Sequence, residues 1–359
     1  MVQKIRGFSR NHRFSGAKNQ QIFELLGFPK FHWGEILIIS KTPLRISFAG
    51  GGTDLPDYYR RHSGAVVSTT INKYVYVTVN KRFDDSIRVS YSKTEIVDDF
   101  EDIRHELVRE SMRLVGLKKG LEITTISDIP SGTGVGSSSA LTVGLLNALY
   151  AFTGQHKSAE TLARDACKIE IDVLKNPIGK QDQYIAAYGG LLFIEFNRDD
   201  SVFVNRVIAR NETKRLLDKR LMMFYTGITR SANKILKEQK KNTKNNTNIL
   251  NELKSLAYSA KECLFNGKTD ELGNIMDKGW HLKKQLAFSI SNPAIDSYYE
   301  KARKAGAVGG KVAGAGGGGF VLLYCHEKYM EKVINALRGL RLIPFRLEPQ
   351  GSRIIYVGD

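Results

Sequence analysis

The sequence predicts an α+β fold. β-branched strands and stretches of helical periodicity both recur along the 359 residues. They mix without a regular βα alternation, which argues against a Rossmann or barrel layout. No segment repeats at a fixed period. Apolar residues make up 42% and charged residues 25%, the balance of a folded chain. The length suits one large domain or two smaller ones with a well-buried core.

The elements can be justified in order. Met1 to Gly34 mixes Arg, Lys, Asn, Gly and Phe without a period, and residues 1–34 are expected to be a poorly ordered basic leader. From Glu35 the texture changes. Ile36-Leu37-Ile38-Ile39-Ser40 is an apolar strand, and Thr42-Pro43 leads into a second, Leu44 to Phe48. Gly64 to Ile71 and the period-two run Tyr74 to Val79 predict two more strands, and Ile87 to Tyr91 continues the sheet. Ile103, Leu107, Met112 and Val115 stand at helical spacing, and Leu121 to Ser127 is strand-like. Asp128 to Thr153 reads as a turn, a glycine loop and a helix. A helix with Ser158 as its cap runs to about Leu174, breaks at Asn176-Pro177-Ile178-Gly179, and is followed by a strand from Leu191 to Phe196.

The second half opens with strand Leu221 to Tyr225. A polar helical region, Ser231 to Cys263, is interrupted by a low-complexity loop, Asn242 to Asn248. Helical periodicity returns over Leu272 to Phe288 and Ala294 to Ala305. The glycine-dense segment Gly306 to Gly319 leads into strand Phe320 to Tyr324, a helix is expected over Lys328 to Leu340, and Arg353 to Val357 closes as a strand.

Charge is the unusual number: 54 Lys and Arg against 37 Asp and Glu give +17. A nucleic-acid surface, a membrane surface and a pocket for anionic small molecules all fit it. No apolar run approaches the roughly 18 residues of a membrane helix, and the N-terminus has no apolar core of signal-peptide length. Cys167, Cys263 and Cys325 lie far apart, so a reducing compartment is expected rather than a disulfide framework or a cysteine zinc site. His105-Glu106 lacks a second His four residues on, and no G-x-S-x-G elbow occurs.

Four segments can carry chemistry. In Pro130 to Ala140, Gly132, Gly134 and Gly136 alternate before Ser137-Ser138-Ser139 at a helix start. Free amides there suit phosphate, and serine hydroxyls can add a phosphate or Mg²⁺ contact. A plain glycine turn capped by serine is the alternative. No Lys follows the last glycine, so this is not a Walker A loop. Gly309 to Gly319 implies close approach of a ligand, or a tight crossing of backbone elements. Asp54, closing the turn Ala49 to Asp54, can accept from substrate hydroxyls or cap the segment Leu55 to His62. Arg45, inside an apolar strand, calls for an anionic partner. Glu170 and Asp182 are a carboxylate pair of the kind phosphoryl transfer to an alcohol uses, or else two solvated surface acids. Lys237, Lys240, Lys241 and Lys244 read first as a solvated face and second as an anion site.

With these motifs in this order, the chain resembles the GHMP small-molecule kinases from about Ile36 to the C-terminus. Pro130 to Ala140 resembles the family's ATP loop, and Lys311 to Gly319 its C-terminal glycine motif. Thr42 to Asp54 and Gly179-Lys180-Gln181-Asp182-Gln183-Tyr184 are most similar to the D-glycero-D-manno-heptose 7-phosphate kinases; the Glu-His-Thr-Asp turn of galactokinases is absent. The resemblance implies a two-domain fold: an N-terminal α+β, ribosomal-S5-like ATP-binding domain (35–210) with a left-handed βαβ crossover, and a C-terminal ferredoxin-like domain (211–359). It implies that Asp182 is the catalytic carboxylate, with Arg45 beside it. Pro130, Gly132, Gly134, Val135, Gly136, Ser137, Ser138 and Ser139 would bind ATP. Ser138 and Glu170 would hold Mg²⁺. Gly51, Gly52, Thr53, Asp54, Lys180, Gly316 and Gly317 would contact the sugar.

The activity implied is ATP-dependent phosphorylation of the anomeric hydroxyl of D-glycero-D-manno-heptose 7-phosphate, feeding nucleotide-activated heptose for surface polysaccharide. Such an enzyme would be cytoplasmic, free of membrane and nucleic acid, and open to forming a homodimer. A phosphorylated acceptor needs a second cationic pocket, for which Arg82, Arg88, Lys93 and Lys180 are candidates. A kinase for an unphosphorylated sugar of fucose, galactose or hexosamine type is the nearer alternative. A nucleic-acid-binding protein is the distant one, and the chain has no interleaved aromatic-basic motif to support it. Met1 to Gly34 holds six Lys or Arg and one Glu, so part of the charge lies outside the kinase-like region. Another part sits on the polar segment Lys234 to Lys244, and attraction of phosphorylated small molecules is sufficient for what remains.

Overall fold

Two long strands organise the first sheet in the computed structural model, which describes residues 37–228 and 232–358. The expected leader, residues 1–34, lies outside the described residues. Strand β1 (Leu37–Ala49) runs through Thr42-Pro43 as a single strand, where the sequence suggested two. Helix α1 (Pro56–His62) follows, and strand β2 (Gly64–Lys81) then pairs antiparallel with β1. Pro43 has no N–H to give the ladder, and the register shifts between Pro43 and Leu44.

Strands β3 (Ile87–Ser90) and β4 (Thr94–Val97) form a hairpin, then helix α2 (Glu106–Val115) leads to β5 (Leu121–Ser127). β5 pairs antiparallel with β2 and parallel with β3. Helix α3 (Ser137–Phe152), buried over most of its length, packs on β1 and β2. Helix α4 (Ala159–Cys167) is capped as expected, Ser158 Oγ accepting from Thr161 N at 3.2 Å. It does not continue as an α-helix to Leu174; a π-helical turn, Lys168–Val173, takes over and carries Glu170. Helix α5 (Gln181–Tyr188) is too short to show a period in the sequence. Strand β6 (Leu191–Phe196) pairs with β2, and β7 (Val202–Arg206) with β6.

The second sheet begins after helix α6 (Asn211–Arg220) with β8 (Leu221–Tyr225). Helices α7 (Ala232–Asn242) and α8 (Thr247–Phe265) flank the expected polar loop. Helices α9 (Thr269–Lys284) and α10 (Pro293–Lys304) precede β9 (Ala307–Val312) and β10 (Phe320–Cys325). The helix expected over Lys328 to Leu340 is shorter, α11 (Met330–Ala336), and β11 (Arg341–Leu342) completes the sheet. The order β11-β8-β10-β9, antiparallel throughout, is ferredoxin-like, with the domain's first strand between its fourth and third.

The C-terminal span does not stay with this sheet. Glu348 N donates to Thr70 O at 3.0 Å, and the final strand β12 (Arg353–Gly358) pairs antiparallel with β1. A strand near the C-terminus therefore closes the edge of the first sheet. Trp280, with no exposed surface, anchors α9 in the second domain's core. Burying such a ring contributes on the order of 3 kcal/mol.

Candidate active site

The phosphate loop is built as its glycines require. Gly132, Gly134 and Gly136 have φ of 78°, 88° and 78°, a region open mainly to glycine. Gly136 is itself the N-cap of α3 and no side chain caps it, so the serines are not spent on a capping turn. Ser137, Ser138 and Ser139 occupy the first helical turn, whose amides lack intrahelical acceptors. Ser137 Oγ is buried without a hydrogen-bond partner among the described residues. Gly132, Gly134, Gly136 and the three serines line a cavity of about 230 Å³ between the two domains. Pro130 and Val135, expected to touch the nucleotide, are off its wall: Val135 is wholly buried and its carbonyl accepts Arg45 N at 3.0 Å.

Opposite charges meet at the loop. Arg45, 4% exposed on β1, donates from Nε to Asp182 Oδ1 at 2.7 Å and from Nη2 to Asp182 Oδ2 at 2.6 Å. Its Nη1 donates to Gly134 O at 2.5 Å. The cation inside an apolar strand thus has its carboxylate. Gln181 fixes the other side: its Oε1 accepts from Ser47 Oγ at 2.9 Å and Ser68 Oγ at 3.0 Å, which turns Nε2 toward Asp182 Oδ1 at 3.1 Å. Oδ1 is saturated by two donors, whereas Oδ2 keeps a lone pair. A Cβ on Gly136 would stand 3.5 Å from Oδ2, so that oxygen faces the end of the phosphate loop.

Asp54 lies beside this pair and does not cap α1. Its Oδ1 accepts Gly52 N at 3.0 Å, and its Oδ2 accepts Gln181 N, at the start of α5, at 3.4 Å. Gly179 permits the approach, since a Cβ there would fall 2.1 Å from Asp54 Oδ2. Burial, then repulsion from Asp182, raises the Asp54 pKa above the usual carboxylate range.

Glu170 is not a surface acid: it has no exposed surface. Its carboxylate accepts from Ser138 Oγ and Thr142 Oγ1, both at 3.0 Å, from Ser139 Oγ at 2.6 Å, and from Gln183 Nε2. Burial pushes its pKa up against the pull of these four bonds. A Mg²⁺ ion takes hard oxygen ligands and needs few from protein when phosphates supply others. Ser138 lines the cavity and is one such oxygen; Glu170, off the cavity wall and with each of its oxygens taking two donors, would join it as a ligand on giving up a serine hydroxyl.

The C-terminal domain supplies cations that the sequence did not single out. Lys283 and Lys311 are each 6% exposed and line the cavity, with Gly314 and Ala315. Lys283 Nζ donates to Gly314 O. Gln239, 2% exposed on α7, lines it too, with Nε2 buried and unpartnered among the described residues. Scattered over two helices and a strand, these residues share no motif; only a Lys within a glycine-rich apolar strand was a readable signal.

Several expected contacts are elsewhere. Thr53 is fully buried, its hydroxyl donating within hydrogen-bond reach of Gly50 O and Ala65 O and accepting Ala65 N. Lys180 Nζ donates to Asp200 O at 2.8 Å, off the cavity wall. Gly316 and Gly317 pack on Ile290, Gly317 N donating to its carbonyl at 2.6 Å. A Cβ on Gly309 would lie 2.0 Å from Gly273 O, so much of the glycine segment serves tight crossings. Gly51, Gly52 and Asp54 do reach the cavity. Arg82 is held by Asp84 at 2.9 Å and Arg88 by Glu122 at 3.2 Å, and Lys93 is exposed between β3 and β4, so none serves the cavity.

A second cleft, about 470 Å³, is walled by α1 and α7 and the turn after α7. Arg60, Arg61, Lys240, Lys241 and Lys244 line it, with Asp57 as its one acid. Arg60 pairs with Asp200 and Lys240 with Asp57, leaving Arg61, Lys241 and Lys244 without an ion pair among the described residues. The same chain segments bound both cavities: Asp54 and Leu55 line the first and Pro56 and Asp57 the second, as Gln239 and Lys240 do on α7.

Comparison with known proteins gives consistent matches. The model of the GHMP kinases N terminal domain matches residues 103–190, and that of the GHMP kinases C terminal domain matches residues 260–340. D-glycero-alpha-D-manno-heptose 7-phosphate kinase of Campylobacter jejuni is 33% identical over 84% of this chain and 93% of its own. L-fucokinase/L-fucose-1-P guanylyltransferase of Bacteroides fragilis is 27% identical over 82% of this chain, which spans 35% of that protein. The crystal structure of a D-glycero-D-manno-heptose 1-phosphate kinase from Bacteroides thetaiotaomicron superposes with a TM-score of 0.75 at 26% identity, covering 90% of this chain and 100% of that one. The two domain models span the phosphate loop, Glu170, Asp182, Lys283 and Lys311, while Arg45 and Asp54 precede them.

Proposed function

This chain belongs to the GHMP kinases, and from that premise we propose that it transfers the γ-phosphoryl group of ATP to the anomeric hydroxyl of D-glycero-D-manno-heptose 7-phosphate, giving the 1,7-bisphosphate. The observation that carries the reading is Asp182, held in a bidentate grip by Arg45 with a lone pair of Oδ2 open and facing the phosphate loop. The likeness to the Campylobacter jejuni kinase supports the choice of acceptor.

In this mechanism the amides of Gly132 to Ser139 receive the nucleotide phosphates at the start of α3. The sugar lies over Gly51 and Gly52, its hydroxyls bonded by Asp54 and the unpartnered Gln239 Nε2. Asp182 Oδ2 orients the anomeric hydroxyl and takes its proton as the oxygen attacks phosphorus. The bond from phosphorus to the ADP oxygen breaks as the bond to the sugar forms. Ser138 and Glu170 would hold Mg²⁺, which when bound neutralises charge on the β- and γ-phosphates.

The acceptor's own phosphate is assigned to the cleft of Arg61, Lys241 and Lys244, at the mouth of the sugar site. The enzyme is read as cytoplasmic, where ATP and sugar phosphates are found, and a homodimer is open to test by light scattering. Assay of ADP release with heptose 7-phosphate, unphosphorylated heptose, fucose, galactose and a hexosamine tests the acceptor. The phosphorylated heptose is expected to lead in kcat/KM by about 100-fold, the effect of a charged-group contact or two. Equal or better turnover of an unphosphorylated sugar would overturn the assignment.

A further inference from the structure

Lys311 is a buried lysine that the reaction as described does not use. It lies on β9, lines the cavity, and its side chain makes no hydrogen bond or ion pair among the described residues. Its surroundings make that costly. Burial, then repulsion from Lys283 and Arg45, pushes its pKa well below the usual lysine range, with only the charge of Asp54 acting the other way. Arg45 is already matched by Asp182. Lys311 therefore lies buried beside two other cationic side chains, and an arriving anion relieves that repulsion.

The location says which anion. Gly314 touches the phosphate loop: a Cβ there would lie 2.6 Å from Gly134 Cα. Lys283 donates to Gly314 O and reaches the acceptor side as well, since a Cβ on Gly51 would be 3.9 Å from its Nζ. Lys311 lines the same cavity as Lys283, Arg45, Asp54, Asp182 and the three loop glycines, and so belongs to the space between donor loop and acceptor carboxylates. The group crossing that space is the phosphoryl group itself.

We propose that Lys311, with Lys283 beside it, forms a phosphoryl subsite contributed by the C-terminal domain, holding the non-bridging oxygens of the group in transit between ADP and the sugar oxygen. The hydroxyl proton still goes to Asp182, and the lysines exchange no proton in the step. Charge that spreads over those oxygens in the transition state meets cations fixed in the cavity wall. The subsite deepens the kinase reading, but does not depend on which sugar is the acceptor.

The test uses Lys311→Met, which keeps length and removes charge, with Lys311→Arg as the charge-retaining control. Mg²⁺·ADP affinity is measured by titration calorimetry with and without aluminium fluoride, a mimic of the group in transit. Wild type is expected to bind at least tenfold tighter with aluminium fluoride, and K311R to keep part of that gain. K311M should bind Mg²⁺·ADP as wild type does, lose the gain, keep or raise its Tm, and lose about 100-fold in kcat, the effect of removing one such donor. Retention of the gain and of kcat in K311M overturns the subsite, as does a wild type with no gain. The fluoride readout needs no sugar, so failure of the heptose assignment would appear in the substrate panel alone.

Discussion

Arg45 and Asp182, 137 positions apart in sequence, are joined through both carboxylate oxygens at 2.7 and 2.6 Å. The pair is buried on the arginine side, with 5% of that side chain exposed against 25% for the aspartate. A planar guanidinium fixes the plane of the carboxylate as well as its position, which a lysine would not do. The open lone pair on Oδ2 therefore has a fixed direction before substrate arrives.

Asp182→Asn removes the proton acceptor while leaving the phosphate loop untouched. Turnover is expected to fall by about 10³-fold or more, with nucleotide affinity within about twofold of wild type. Steady-state kinetics with calorimetric ATP binding checks both, and near-normal kcat would exclude Asp182 as the base.

Gln181→Leu removes the acceptor of the Ser47 and Ser68 hydroxyls and the donor to Asp182 Oδ1. Loss of those buried bonds should cost about 1–3 kcal/mol of stability. With Asp182 less well oriented, kcat should fall about tenfold while KM for ATP stays constant. Chemical denaturation and initial rates measure the two effects separately.

The raised pKa of Asp54 gives acceptor binding a pH dependence. On acidification Asp54 takes up its proton at a higher pH than an ordinary aspartate, and the protonated acid accepts hydrogen bonds from sugar hydroxyls less well. The KM for sugar should rise as pH falls through that raised value, with KM for ATP little changed. Folding responds with the opposite sign. The native state binds this proton more tightly than the unfolded chain, so the ionised form costs stability at neutral pH and the cost fades on acidification. Asp54→Asn should raise the sugar KM tenfold or more at pH 7.5, flatten its acid limb, and leave Tm at neutral pH undiminished.

Charge reversal in the outer cleft separates acceptor phosphate from acceptor sugar. The double variant Lys241→Glu/Lys244→Glu is expected to raise KM for heptose 7-phosphate by about tenfold or more, in a salt-dependent way. It should leave KM for ATP and turnover of unphosphorylated heptose nearly unchanged. An unchanged KM for the phosphorylated sugar would remove the cleft from the substrate site.

Much of the site was legible because its chemistry is local. Three alternating glycines followed by serines at a helix start can cradle a phosphate, and the structure gives all three positive φ. Arg45 in an apolar strand announced a buried partner before the partner was known. The short helix α5 was not legible, since eight residues give no period. Nor was the π-turn that carries Glu170, because it continues the pattern of α4 with altered hydrogen bonding. Thr53 and Lys180 have the right chemistry for a sugar contact, but their side chains are taken up by Gly50 and Ala65 in one case and by Asp200 in the other.

By itself the sequence singled out the glycine loop and Arg45, Asp54, Glu170 and Asp182 as candidates, and determined an α+β chain. Each of these depends on residues close together along the chain, where backbone freedom and side-chain type decide the outcome. The tertiary structure alone decided that Arg45 meets Asp182 and that β12 closes the first sheet. It also decided that Lys283, Lys311 and Gln239 enter the same cavity and that Arg61, Lys241 and Lys244 share one cleft. Those relations depend on burial and on strand order, which bring distant segments together and are encoded in no single window of sequence.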